Sequence, residues 1–528
     1  PAPTAAATAV AEEIGSLIRQ KHGNLRKAGA QEAQEEKEEK ASAEIGTFWE
    51  PEPVSLASEI PALRGGPQGN EHAAVGGQII DDPRRRFQEV TSDAATWNLC
   101  ETVADKEACL LRVDAFLDER PRTVAFGNGG QLIQTFGRAL PGGGGPCGPL
   151  CELLEGCVTG TCRFDVYDNA VAAIYYTKRN KIAEARKILD AFTALLYASP
   201  EMHLLAAAYG ADGLPIDTGI DTGNNAWAAL AYGHFAAATN EPCMAAIGRT
   251  MMHKIADETG CDDYLMGFMA RMPRGVGTYR VTEHNIDMFA LAKIFGDQGL
   301  QDRASIFVSR MFAFDPDYPQ AYATSTNGGG ICSTAVRPNL AVAADAQFWN
   351  LLSNADADPI RKRYSLEFAL RSSSEGGFIE HDKDVLGDGK TLSGLRFTDR
   401  GYGAQWENTA SAVMGVGMYD ALYAIQAGSD LKSQTPGVLS MKNSLLHLLE
   451  EYGSVLGSVR GGNFQAYYTG SPVPYPGGSD TGIGWTYLRY PHSAATAWTG
   501  LMLLEANPFA HPLQPMPSAA PDGLCPAR

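Results

Sequence analysis

Six stretches of this chain read as helices that are apolar on every side: 166–176, 224–238, 283–295, 338–352, 407–427 and 492–506. Each is rich in Ala, Gly and aromatic residues and nearly free of charge past its first turn. A helix that is apolar all round has to be covered all round. Between them lie 181–196, 244–258, 300–312, 358–370 and 442–452, whose charged faces leave one side wet. Buried helices alternating with half-wet ones predict an inner ring inside an outer ring. The inner segments start near 168, 224, 283, 338, 407 and 492, in steps of 56, 59, 55, 69 and 85 residues. That is a repeating helical hairpin with growing loops. A helical stretch at 91–119 supplies the sixth outer helix. The predicted fold class is all-α, an (α/α)6 toroid.

The long loops, 201–223, 259–282, 314–337, 371–406 and 453–491, all precede inner helices. They therefore gather on one face, where a ligand cleft is expected. The two longest have room for short hairpins. The toroid is placed at 161–510 and a short tail at 511–528. Residues 1–45 form a charged, helix-prone tail that reads as a solvated segment or as a docking site for a protein partner. Residues 46–160 read as an irregular strap carrying one helix.

Composition narrows the ligand. The net charge of −18 disfavours nucleic acid, which needs a basic face. No apolar run reaches the length of a membrane span. Cys147, Cys151, Cys157 and Cys162 are spaced as C-x3-C-x5-C-x4-C. This is a poor zinc pattern and reads first as disulfides, then as free thiols. Disulfides lean towards a secreted or cell-surface protein, although no Asn-x-Ser/Thr acceptor supports that route. The Gly runs at 142–145 and 328–330 lack the Lys-Ser/Thr of a phosphate loop. Glu380-His381-Asp382 with Asp384 and Asp388 lacks calcium-loop spacing and reads as a polar loop. No metal and no cofactor is expected.

The inner-helix starts carry a resemblance: Tyr167-Asp168-Asn169-Ala170, Asp221-Thr222-Gly223-Asn224-Asn225-Ala226-Trp227, Thr282-Glu283-His284-Asn285-Ile286-Asp287, Trp406-Glu407-Asn408-Thr409-Ala410 and Ala494-Ala495-Thr496-Ala497-Trp498, followed by Asn507-Pro508-Phe509. In style they resemble the six-hairpin (α/α)6-barrel glycosidase superfamily, over about residues 160–510. The resemblance implies glycoside hydrolysis of an oligo- or polysaccharide, with polysaccharide lysis and sugar epimerisation on related toroids.

Hydrolysis needs two carboxyl groups, one protonated and one ionised. The expected mouth offers Asp165, Asp168, Asp217, Asp221, Glu283, Asp287, Glu380, Asp399 and Glu407. Glu283, in the first turn of a buried helix beside His284, is the first candidate for general acid. Its plainer reading is a first-turn Glu favoured by the helix dipole, with Thr282 as N-cap. Glu407, next to Trp406, pairs an acid with an aromatic platform. Asp221 is a cap or a base orienting water. Asp168, Asp217, Asn225, His284 and His492 are candidates for holding sugar hydroxyls, Asp168 also for structural pairing. Asp287 is expected to lock a neighbouring helix. Trp227 and Trp498 are expected to pack between helices, while Trp485, Tyr487 and Tyr490 are candidate subsite rings. The resemblance makes an inverting two-carboxylate hydrolase the leading expectation. A lyase or epimerase would use Tyr or His to abstract a proton, with Arg337, Arg396 or Arg400 neutralising a uronate. A non-catalytic carbohydrate-binding or assembly protein is the third. Cys261-Asp262-Asp263 is a thin acidic metal motif.

Overall fold

Twelve α-helices occur among the described residues, in chain order α1 Val103–Asp118, α2 Val166–Lys178, α3 Ile182–Leu196, α4 Thr222–Thr239, α5 Pro242–Thr259, α6 Thr282–Phe295, α7 Gln298–Met311, α8 Ala344–Ser353, α9 Pro359–Ala369, α10 Trp406–Gln426, α11 Pro436–Tyr452 and α12 Ser493–Leu504. This computed structural model describes residues 100, 102–136, 163–199, 201–337, 340–383, 390–426, 436–452, 462–465, 472–475, 478–483, 486–488 and 491–517. All fall in one compact unit, Asp81–Arg528. The charged tail at 1–45 and the cysteines at 147–162 lie outside the described residues.

The even-numbered helices form the inner ring. Each packs on the next, and α12 packs on α2 to close it. The odd-numbered helices lie outside, with α11 against α10 and α1 against α12 as the sixth outer helix. The fold is an (α/α)6 toroid. Burial follows the predicted division. In α12 every residue from Ser493 to Leu503 is buried, whereas α3 buries Ala185, Ile188, Leu189, Phe192 and Leu196, the 3.6-residue stripe of a half-wet helix. Inner helices α4, α6, α8 and α12 end on a left-handed residue, Asn240, Gly296, Asn354 and Glu505. This reverses the chain abruptly into the outer helix or the C-terminal segment.

The fourth inner helix begins at Ala344, later than the expected 338. The residues just before it are spent in extended pairing: Ala343 bridges Thr398, and Ala344 N–H donates to Phe397 O at 2.9 Å. The long loops do carry hairpins, pairing 379–383 with 391–395, 462–465 with 472–475 and 478–480 with 486–488.

One device attaches loops to helices around the ring. Asn169, Asn225, Asn285 and Gln347 each stand four residues past the helix cap. Each carboxamide oxygen accepts from the N–H of one loop residue, and its NH2 donates to that residue's carbonyl and to the cap carbonyl. The partners are Ile133 (2.7 and 3.0 Å), Leu205 (2.8 and 3.0 Å), Phe268 (2.8 and 3.1 Å) and Tyr322 (2.9 and 2.8 Å). The side chain thus imitates a strand neighbour and satisfies backbone groups that burial would orphan. On α10, Thr409 fills the position, accepting from Leu395 N–H at 2.9 Å and donating to Gln405 O at 2.7 Å.

Disulfides join Cys100 to Cys109 and Cys261 to Cys332, and Cys243 is also disulfide-bonded. No described helix is long and apolar enough to cross a membrane.

Candidate active site

The floor of the ring is aromatic. Six residues past the cap on α4, α8 and α12 stand Trp227, Trp349 and Trp498. Their rings meet at the axis, with centroids 5.5, 5.6 and 5.9 Å apart. Trp227 and Trp498 thus pack between the inner helices, as expected, and against each other. Phe509, from the C-terminal segment, closes the triangle from below at 5.2 Å from Trp227 and 5.5 Å from Trp349. Intervening helices carry Val171, Asp287 and Ser411 at this level, which leaves room for the three large rings. Each indole N–H is directed at the next inner helix. Trp349 donates to Ser411 at 3.0 Å and Trp498 to the Tyr167 hydroxyl at 2.9 Å. Trp227 is directed at Asp287 and favours its ionised form without closing a hydrogen bond.

One turn above, two residues past each cap, stand Tyr167, Gly223, Glu283, Asp345, Glu407 and Ala494. This spacing puts them on the same helix face as the floor residues. Glu283, Asp345 and Glu407 occur on three successive inner helices. Burial raises all three carboxyl groups. Glu283 is pushed well above its ordinary range, with Asp345, Asp287 and Glu407 adding like charge. It hydrogen-bonds to Asp345, which itself rises to about 7 through burial. Two carboxyl groups in contact cannot both ionise, so one proton is shared, held by Glu283 and accepted by Asp345. Asp287, a turn below Glu283 and wholly buried, is also raised by burial and by Asp345. Glu407 rises to about 7, burial outweighing His492 and Tyr167, which favour its ionised form. Its Oε1 accepts from Tyr167 Oη at 2.5 Å, and Gln405 Nε2 approaches Oε2 at 3.4 Å.

The seam between α12 and α2 is a clasp. Asp168 Oδ1 accepts from His492 Nε2 at 3.1 Å and from Ala494 N–H at 3.2 Å. Burial opposes a charged His492, yet Asp168 overcomes it and the imidazole is raised. Ala495 N–H points at Nδ1 at 3.3 Å, so both ring nitrogens are engaged. Tyr487 is partly exposed, with its ring 5.6 Å from Phe397 and 6.4 Å from His492. Its phenol is raised by burial and by the charges of Glu407, Glu283, Asp345 and Asp168.

At the rim, Asp221 Oδ1 is held by Arg271 Nε at 2.6 Å. Arg163 joins Asp165 at 2.8 Å to Asp217 at 3.2 Å. Burial raises Asp165 to about 6 against the pull of Arg163. His284 is partly exposed, and desolvation with Arg271 lowers its imidazole to about 3. Its ring occupies the space beside Gly223, where a Cβ would stand 2.8 Å from Nε2 and 3.2 Å from Asp287 Oδ2.

Of the residues singled out in the sequence, Glu283, Glu407, Asp168, His284, Tyr487 and His492 gather around the floor, while Asp217 and Asp221 stand at the rim in ion pairs. Two others serve the fold. Asn225 spends its carboxamide on the Leu205 backbone and the Asp221 carbonyl. Trp406 is fully buried, its ring against Gly394, so it offers no platform. Trp485 and Tyr490 lie outside the described residues. Thr282 is not the cap of α6: that residue is Val281, and the Thr282 hydroxyl donates to Ala323 O at 2.5 Å. The acidic motif at 261–263 is consumed by the disulfide and by ion pairs of Asp262 with Arg303 and Asp263 with Arg280.

Asp345 was missed. The Pro338 start assigned to its helix put it half-way along instead of at the mouth. Register carried the signal: an inner Asn or Gln four past the cap marks, two residues earlier, the side chain that faces the acid layer.

No family model matches the sequence, and no curated protein is similar to it in sequence. Solved structures are similar in fold. A D-mannose isomerase superposes with a TM-score of 0.51 at 10% identity, over 78% of this chain and 99% of that one. The chain shares its fold. A family 76 glycoside hydrolase from a bovine Bacteroides thetaiotaomicron strain reaches a TM-score of 0.47 at 9% identity, over 76% and 77% of the two chains. A cellobiose 2-epimerase from Spirochaeta thermophila reaches 0.46 at 11% identity, over 76% and 98%.

Proposed function

We propose that this protein is a glycoside hydrolase acting on an oligo- or polysaccharide, with Glu283 as proton donor, Asp345 as its proton-sharing partner and Glu407 as base. The observation that carries the reading is the placement of three carboxyl groups at one repeat position on three successive inner helices. Above an aromatic floor, burial and mutual repulsion keep one of them protonated at neutral pH. A glycosidic oxygen leaves well only when protonated, and water attacks well only when a carboxylate takes its proton. The acid layer holds both states side by side. Tyr487, partly exposed beside His492, offers a ring to the C–H face of a sugar. That the D-mannose isomerase sharing the fold is named for a sugar makes sugars the first substrate class to test. The five disulfide-bonded cysteines, Cys100, Cys109, Cys243, Cys261 and Cys332, support an oxidising compartment outside the cytosol.

His284 favours a second reading, proton abstraction as in a sugar epimerase. Its imidazole stays neutral and its Nδ1 has no hydrogen-bond partner. Uronate lysis is less well supported. Arg396 is spent on the carbonyls of Ser373, Gly377 and Gly401, and Arg400 is bound to Tyr318.

The test is product analysis on a panel of neutral oligo- and polysaccharides. Glu283→Gln and Glu407→Gln should each lower reducing-end release by roughly 10²–10⁴-fold with circular dichroism unchanged. Release that survives both substitutions overturns the assignment. Deuterium uptake at a sugar carbon without bond cleavage, lost in His284→Asn, selects the epimerase. Saturable sugar binding without turnover selects a binding protein.

A further inference from the structure

We propose that Trp498 is a positioning residue for Glu407, acting through the Tyr167 hydroxyl to hold that carboxyl as a hydrogen-bond acceptor and so as the base of the pair. This deepens the hydrolase reading and rests on it for the word base, but not for the hydrogen-bond chain.

The argument is one of donors and acceptors. An indole N–H can only donate, and a phenol has one hydrogen to give. Trp498 Nε1 lies 2.9 Å from Tyr167 Oη, which lies 2.5 Å from Glu407 Oε1. The phenol oxygen receives the indole hydrogen, so its own hydrogen goes to Glu407. A carboxyl that receives a hydrogen there is favoured in its ionised form. The direction of the chain is therefore fixed from α12, across α2, to α10. Of the three floor tryptophans, Trp498 alone sends its N–H up into the acid layer. Trp349 donates to Ser411, and Trp227 is directed at Asp287.

The groups acting on Glu407 come from several helices. His492 of α12 and Tyr167 of α2 favour its ionised form, while Asp168 of α2 and Asp345 of α8 oppose it. Glu283 of α6 counts Glu407 among its own repulsive neighbours, and Tyr487 is raised by it. With burial at work as well, Glu407 stands at about 7, where a small loss of hydrogen bonding changes the fraction ionised near neutral pH. Removing the indole N–H frees the phenol to turn its hydrogen elsewhere. The Glu407 midpoint then rises.

The test reads Glu407 directly, so it does not depend on finding a substrate. The full-length protein is labelled with ¹³C at glutamate carboxyls, and the Glu407 resonance is assigned by its loss in Glu407→Gln. Trp498→Phe keeps a ring beside Trp349 and Phe509 and removes only the donor. Its Glu407 midpoint should rise by about half a pH unit, and that of Tyr167→Phe by about one. Trp349→Phe, which loses a comparable indole donor, should leave it in place. Where sugar turnover is measurable, the acid limb of kcat/KM should move up with the midpoint while KM stays constant. An unmoved midpoint in Trp498→Phe, or an equal shift in Trp349→Phe, overturns the proposal. A moved midpoint in a protein that turns over no sugar keeps the chain of donors and removes the hydrolase reading.

Discussion

The two halves of the inner ring are built alike and equipped differently. On one arc, α6, α8 and α10 present Glu283, Asp345 and Glu407 towards the axis. On the other, α12, α2 and α4 present Ala494, Tyr167 and Gly223 from the same repeat position. Two residues further along, the arcs converge again: Asn169 and Asn225 on one side match Asn285 and Gln347 on the other, with the same two-sided grip on a loop backbone. The fourth position past the cap answers to the fold, because a buried loop residue with unpaired N–H and C=O is costly on either arc. The second position has no such duty. It faces the axis, so its side chain is free to differ, and chemistry concentrates there.

The largest effect should come from the position both arcs share. Asn225→Ala and Asn285→Ala each orphan two buried backbone groups of one loop residue, a loss of roughly 2–6 kcal/mol. Thermal melts should show similar falls for both variants. A fall confined to Asn285→Ala would mean that the grip serves the acid arc and not the toroid.

Next is the stability cost of the acids. A carboxyl whose folded pKa is raised binds more protons folded than unfolded, so stability falls as pH rises from the unfolded value towards the folded one. For Asp345 and Glu407 that window runs from about 4 to about 7. Asp345→Asn should therefore stabilise the protein at pH 8, on the order of a few kcal/mol, and much less at pH 4. Melting temperatures at the two pH values check this. A gain of equal size at pH 4 would mean that charge is not the cause.

The smallest effect tests the opposite arc. Gly223→Ala introduces a Cβ against the His284 ring and Asp287, at a cost of about 1–3 kcal/mol if the ring yields. The signature is a shift of the His284 imidazole resonances with the Glu283 and Glu407 carboxyl resonances unmoved. Movement of the carboxyl signals instead would show that the arcs are coupled through His284.

Much of the ring was legible in the sequence. All-round apolar segments such as 224–238 and 492–506 have no stable place but a covered inner layer, and charged faces such as that of 181–196 have none but an outer one. The alternation therefore fixes two rings. Local pattern failed where a side chain's partner lies far along the chain. Nothing near Asn225 reveals that Leu205 will take its carboxamide. Nothing near Trp406 reveals that Gly394 leaves space for its ring. Asp345 was hidden because extended pairing with residues near 398 delays the start of α8.

The sequence by itself determined which helices are buried, because hydrophobic periodicity is a local property. It also determined that polar residues cluster where those helices begin. Only the tertiary structure decided which of those residues face one another. Closing the ring brings Tyr167 to Glu407 and His492 to Asp168, pairs separated by 240 and 324 positions. A carboxyl group takes its acid or base character from the burial, charge and hydrogen bonds that such distant neighbours impose.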